Sequence, residues 1–78
     1  MILERISINP TRMNGQPSIR DLRLTVRRVL EILALYPDRD ELFGEYPELE
    51  AEDIRQALEF AAASMSDQIV EFSYEIAA

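Results

Sequence analysis

Cysteine, histidine, tryptophan and lysine are all missing from this 78-residue chain. Without cysteine there is neither a disulfide to brace a small fold nor a thiolate to bind metal or attack a substrate. Without histidine the commonest general base and the imidazole ligand are gone as well. The chain is therefore not expected to be an enzyme, and no catalytic residue, native metal site or cofactor is expected. A hard cation could collect at Glu48, Glu50, Glu52 and Asp53, but no ligand-and-glycine loop of the EF-hand type surrounds them. These four acids read as a solvated rim, and Asp38, Asp40 and Glu41 read as helix-start residues.

No eighteen apolar residues run together, and Met1-Ile2-Leu3-Glu4-Arg5 is no basic leader ahead of a long apolar core. No membrane association is expected, and a cytoplasmic location is. A chain this short buries little of its own surface, so self-association, most simply a homodimer, or another partner is expected to support it.

What is present is divided unevenly. Residues 1–30 carry six arginines against Glu4 and Asp21, a net +4, and residues 31–78 carry two arginines against thirteen acids, a net −11. Such a division suits an anionic partner on one side and a basic one on the other, or two copies meeting unlike face to unlike face, or simply a solvated surface. With no lysine, every basic group is a guanidinium, suited to bidentate contact with phosphate or carboxylate.

The periodicity predicts a short strand ending at Asn9-Pro10, with Ile6 and Ile8 as its apolar positions. A turn follows at Asn14-Gly15, where Gly15 can take a positive φ. Pro17–Ile19 and Arg23–Leu24 read as two very short extended pieces around a bend, with Ile19, Leu22 and Leu24 as burial candidates. Thr25 is a good N-cap for a first helix, whose apolar stripe is Val26, Val29, Leu30, Leu33 and Tyr36 and whose stop is Pro37. Ile32 and Leu35 fall partly outside that stripe and suggest a second apolar contact. Asp38 caps a shorter helix, with Glu41 in capping-box position, Leu42, Phe43 and Tyr46 inward, and Gly44 then Pro47 ending it.

The third helix is expected over residues 51–65, with Ile54, Ala57, Leu58, Ala61 and Met65 inward and Leu49 and Ile54 as a hydrophobic staple. Glu52 and Asp53 stand where the helix dipole favours acids. After Ser66-Asp67 the period changes to two, with Val70, Phe72, Tyr74 and Ile76 on one face of a strand-like tail. Those four residues are the candidate partner-binding set, to be covered by the N-terminal strand, a second copy or another protein's sheet edge. The division expected is 1–66 for the helical domain and 67–78 for the extended tail.

Three short helices with a tight second connection fit a helix-turn-helix. Yet its last helix would present Glu50, Ala51, Glu52 and Asp53 to the major groove, and phosphate repels them. The candidate nucleic-acid residues are instead Arg20, Arg23, Arg27 and Arg28, with Arg5 and Arg12 beside them. The same arginines could equally pair with the acidic half of this chain or of a neighbouring copy.

The runs I-x-x-N-P, N-G-Q-P-S-I-R-D-L-R-L-T-V and E-Y-P-E-L-E-A-E-D-I-R-Q-A-L-E-F-A-A resemble the family of domain of unknown function 433. Gly15, Pro17, Ile19, Arg20, Arg23, Val26, Tyr46, Pro47, Leu49, Asp53, Ile54, Ala57 and Leu58 fall in order at the family's intervals, over about residues 6–63. Asp21-Leu22 replaces the family's Gly-Thr, so the bend before Arg23 has to form without that glycine. Gln16 replaces a common lysine, and Glu50 stands where Thr or Ser commonly caps the third helix.

The resemblance implies a mainly α, three-helix homeodomain-like (helix-turn-helix type) bundle with short N-terminal β-strands. It also implies an antitoxin role of the VapB-like kind beside a PIN-like ribonuclease toxin. The expected function is a non-catalytic antitoxin-like adaptor of a type II toxin-antitoxin system, binding a toxin protein and operator DNA. The alternative is a stand-alone DNA-binding transcriptional regulator.

Overall fold

Two strands and three helices make up the computed structural model, which describes residues 2–65. In order they are β1 (Ile6–Ser7), β2 (Ser18–Ile19), α1 (Val26–Leu35), α2 (Arg39–Glu45) and α3 (Ala51–Ser64). The protein is thus a small, mainly helical domain, as expected, with short N-terminal strands that pair as a two-stranded antiparallel hairpin. Val70, Phe72, Tyr74 and Ile76, with the expected tail unit 67–78, lie outside the described residues.

The hairpin pairs Ile6 with Ile19 and Ser7 with Ser18. Its connection is shaped by local polar bonds. The Asn9 side-chain oxygen accepts from the Thr11 amide at 2.9 Å and the Thr11 hydroxyl at 2.7 Å, and one turn of 3-10 helix follows over Met13–Gly15. Gly15 takes φ +77°, and a side chain there would still have room, so the dihedral is what calls for glycine. Ile8 lies beyond the end of β1 and is exposed.

After β2 the chain reverses, the Leu22 amide donating to the Ile19 carbonyl at 2.9 Å. It then runs back beside β2, where Ser18 and Thr25 form an isolated antiparallel bridge and the Ile19 amide donates to the Leu24 carbonyl at 2.9 Å. Of the two extended pieces expected around a bend, the first is β2, and the second falls at residues 24–25, one position later than Arg23–Leu24, because Arg23 belongs to the bend. The bend forms without the family's glycine because Arg20, one position earlier, adopts φ +46°. That left-handed backbone costs an L-residue about 1 kcal/mol.

The first two helices each start on a side-chain acceptor. The Thr25 hydroxyl accepts from the Arg28 amide at 3.0 Å, and the Asp38 carboxylate accepts from the amides of Asp40 at 2.8 Å and Glu41 at 3.3 Å. Three sequence expectations need correction. Ile32 is fully buried with Val26 and Val29, because the i, i+3 row of α1 faces the core most directly while Leu30 and Leu33 flank it half-buried. Gly44 lies inside α2, which runs on to Glu45 and ends ahead of Pro47. In α3 the deep residues are Asp53, Ile54, Gln56 and Ala57, whereas Leu58 is half-exposed and Met65 is 78 % exposed. The inward row of α3 thus includes two polar side chains where the apolar spacing suggests hydrocarbon.

One apolar cluster joins every helix to the hairpin: Ile19, Val26, Val29, Ile32, Leu42, Leu49, Ile54 and Ala57. Leu49 and Ile54 take the staple positions around the start of α3. Tyr36 and Tyr46, the residues that close α1 and α2, meet edge to face with ring centres 6.1 Å apart. No helix among the described residues is long and apolar enough to cross a membrane.

Candidate functional site

Two arginines of the hairpin region converge on one buried carboxylate at the start of α3. Asp53 is fully buried. Its Oδ1 accepts from Arg20 Nε at 2.9 Å and Arg5 Nη1 at 3.1 Å. Its Oδ2 accepts from Arg20 Nη2 at 2.6 Å and from the Glu50 amide at 2.9 Å. Four donors thus fill the four lone-pair positions of the carboxylate, two of them in the forked pairing that only arginine offers. Arg20 Nη2 also donates to the Glu48 carbonyl at 3.0 Å, and Arg5 Nη1 to Glu50 Oε1 at 2.5 Å.

The network extends one turn along α3. The Arg5 amide donates to Gln56 Oε1 at 2.8 Å, and Gln56 Nε2 donates to Glu52 Oε2 at 2.9 Å. Arg55 Nε donates to Glu52 Oε1 at 2.9 Å and makes a second pair with Glu59. Every buried side-chain nitrogen and oxygen of the described residues finds a partner. This is the condition on which a buried polar network is stable, since each unpaired member would cost about 1–3 kcal/mol.

The electrostatics follow from these contacts. Burial alone pushes the Asp53 carboxyl up, but donation from Arg20, the Glu50 amide and Arg5 outweighs it and holds the group below the ordinary aspartate value. Glu52 is held down to about 2 by its hydrogen bonds from Arg55 and then Gln56. The guanidiniums of Arg5, bonded to Glu50 and Asp53, and of Arg20, bonded to Asp53, are raised in turn. Asp53 is consequently ionised, buried and fully occupied, with no lone pair left for a metal or a substrate proton. Among the described residues no group of three acids is placed to hold a metal ion.

Reading Asp53 as part of a solvated rim is therefore overturned, while Glu48 and Glu50 are exposed and Glu52 partly so. The weak Glu50 cap is answered from within the helix, since Asp53 three residues on reaches back to the Glu50 amide in capping-box fashion. The candidate arginines are also distributed in a way that spacing does not reveal. Arg20 turns to α3. Arg23 is exposed ahead of α1, and Arg27 and Arg28 in the first turn of α1 reach Glu31 at 3.7 and 3.3 Å. Arg12 pairs with Asp21 at 3.7 Å.

Spacing along the chain missed the roles of Arg5 and Gln56. The available signal was the acid at the third position of a helix lacking a Ser or Thr cap, which marks Asp53 as a backbone acceptor. A separate apolar groove of about 340 Å³ lies between α1 and α3, lined by Pro17, Val26, Leu30, Phe60, Ala61 and Met65, with Arg27 also on its wall.

Fold and network together define a small three-helix domain whose N-terminal hairpin is locked by an arginine–aspartate cluster to the start of the last helix. The chain belongs to the DUF433 family of proteins of unknown function, whose model matches residues 6–61. Both Arg20 and Asp53, the two partners of the lock, lie within that matched span. No curated protein and no solved structure shows significant similarity to the chain.

Proposed function

We propose that this protein is a non-catalytic, antitoxin-like adaptor that acts by docking on a protein partner, a toxin of the PIN-like ribonuclease type. The observation that carries this reading is the acidic, locked start of α3. In a helix-turn-helix that turn would face the major groove, and here it offers carboxylates whose arginine partners are already taken. Such a surface favours a basic protein over phosphate. The sequence alternation of Val70, Phe72, Tyr74 and Ile76 is the pattern that adding a strand to a partner's sheet edge requires.

The test is co-expression of the full chain with the protein encoded by the adjacent reading frame. Removal of residues 67–78 should abolish co-purification while leaving the helical circular dichroism unchanged. Equal recovery with and without those residues would remove the tail from the interaction.

A second reading, DNA binding alone or alongside the partner, draws on the exposed Arg23, Arg27 and Arg28. It requires retardation of the upstream operator DNA that steepens as salt falls and weakens with Arg27→Ala or Arg28→Ala. Absence of retardation at low salt rules against it.

A further inference from the structure

We infer that the pocket beside the hairpin connection is a binding site for a phosphate monoester. It is a cavity of about 310 Å³ whose walls include Ser7, Asn9, Pro10, Arg12, Ser18 and Asp21. That volume is at the small end for a ligand site and suits a molecule little larger than the phosphate group itself. Asn9 and Pro10 come from the first of the runs that resemble the family, and Ser18 and Asp21 from the second. Neither the apolar core nor the Arg20–Asp53 lock accounts for Asn9, Arg12 or Asp21.

The donors around this pocket are held loosely. Arg12 Nη2 donates to the Asp21 carbonyl at 3.4 Å, Arg12 Nη1 lies 3.7 Å from the Asp21 carboxylate, and the Ser7 hydroxyl donates to the Arg20 carbonyl at 3.4 Å. The guanidinium contacts of Asp53, by contrast, run from 2.6 to 3.1 Å. Oδ1 of Asn9 is engaged by the Thr11 amide and hydroxyl, so what that side chain has left to offer is its NH2 donor. A guanidinium fork, a hydroxyl and an amide NH2 around one cavity call for an anion with more than the two oxygens of a carboxylate, and a phosphate monoester presents three. Asp21, the acid on the wall, is fully exposed, so water screens its repulsion and it yields Arg12 at little cost. The pocket shares no residue with the tail or with Arg23, Arg27 and Arg28, and its occupancy holds or fails apart from any protein partner.

The test is titration of the isotope-labelled full-length protein with methyl phosphate, followed by amide NMR. The Ser7, Asn9 and Arg12 amides should shift to saturation with a dissociation constant of roughly 1 mM. Dimethyl phosphate, a diester like the nucleic-acid backbone, should bind at least about fivefold more weakly, since it has one terminal oxygen and one charge fewer. Arg12→Gln should weaken methyl phosphate binding about tenfold. Asp21→Asn should tighten it about threefold by releasing the guanidinium. Both side chains are exposed, so neither change disturbs the core. Arg39→Gln, outside the pocket, should leave binding unchanged. Absence of saturation by about 20 mM, equal weakening by Arg12→Gln and Arg39→Gln, or weaker binding by Asp21→Asn overturns the inference. Equal binding of the diester overturns it in favour of contact with nucleic-acid backbone.

Discussion

The two ends of α3 are built on opposite principles. At its start a fully buried carboxylate is saturated by two guanidiniums and a backbone amide, and the side chains around it are fixed by direction-dependent bonds. At its end Phe60, Ala61 and Met65 border an apolar groove, and Met65 is largely exposed. The first end is saturated and specific, and the second is unsaturated and adaptable. Directional pairing fixes one register of hairpin on helix, whereas apolar surface accepts any occupant of suitable shape. An adaptor of the kind proposed would use both, a rigid part that holds its shape and an accommodating part that meets others.

The sharpest way to break this contrast is Asp53→Ala. It strands two arginines and the Glu50 amide, and truncating one member of such a buried charge cluster costs on the order of 3 kcal/mol. That is a large share of the roughly 4–12 kcal/mol expected for a domain of this size. Urea denaturation followed by circular dichroism measures it, and a loss below 1 kcal/mol would mean that the lock contributes little.

Acid titration sharpens the same point. Asp53 has a folded value below its ordinary 3.8, and Glu52 is lowered from 4.5 to about 2. Lowered carboxylates stabilise the folded state above their unfolded values, and that stabilisation is lost as pH falls through the folded ones. Stability should therefore decline from about pH 5 towards pH 2. Asp53→Asn should flatten the part of the slope below about pH 4, and an identical slope in the two proteins would contradict the role of Asp53.

A smaller effect is expected from Arg20→Lys, which keeps the charge but loses the fork and the bond to the Glu48 carbonyl. The loss should be about 1–2 kcal/mol in the same urea experiment. At the other end of α3, Met65→Ala should change stability by less than about 0.5 kcal/mol, since the side chain is mostly in water. A larger change there would show that Met65 makes contacts that its exposure does not account for.

Locally encoded features were legible from the sequence, because caps and stops act within four residues. Thr25, Asp38, Pro37, Pro47 and the Leu49–Ile54 staple all occupy the places that their chemistry predicts. The three-helix body was legible for the same reason, and the family from the order and intervals of its motif residues. What spacing could not reveal is pairing at a distance. Arg20 and Asp53 are 33 positions apart, and nothing in the helical period of α3 indicates that Asp53 and Gln56 face inward while Leu58 faces out. The rotation of α3 is set by what the hairpin presents to it, two guanidiniums and the Arg5 amide, and that is known only once the hairpin is folded. The misplacement of Ile32 has the same origin, since the face of α1 that is deepest depends on the helices packed against it.

The capping of α3 by Asp53 has a consequence for how the molecule assembles. The same carboxylate that receives the Glu50 amide is tolerable in the interior only while Arg5 and Arg20 are present. A well-formed first turn of α3 and a docked hairpin are thus parts of one event, and neither is a stable intermediate without the other. Amide hydrogens at these two places, nearly fifty positions apart along the chain for Arg5 and Asp53, are bound to open to solvent together.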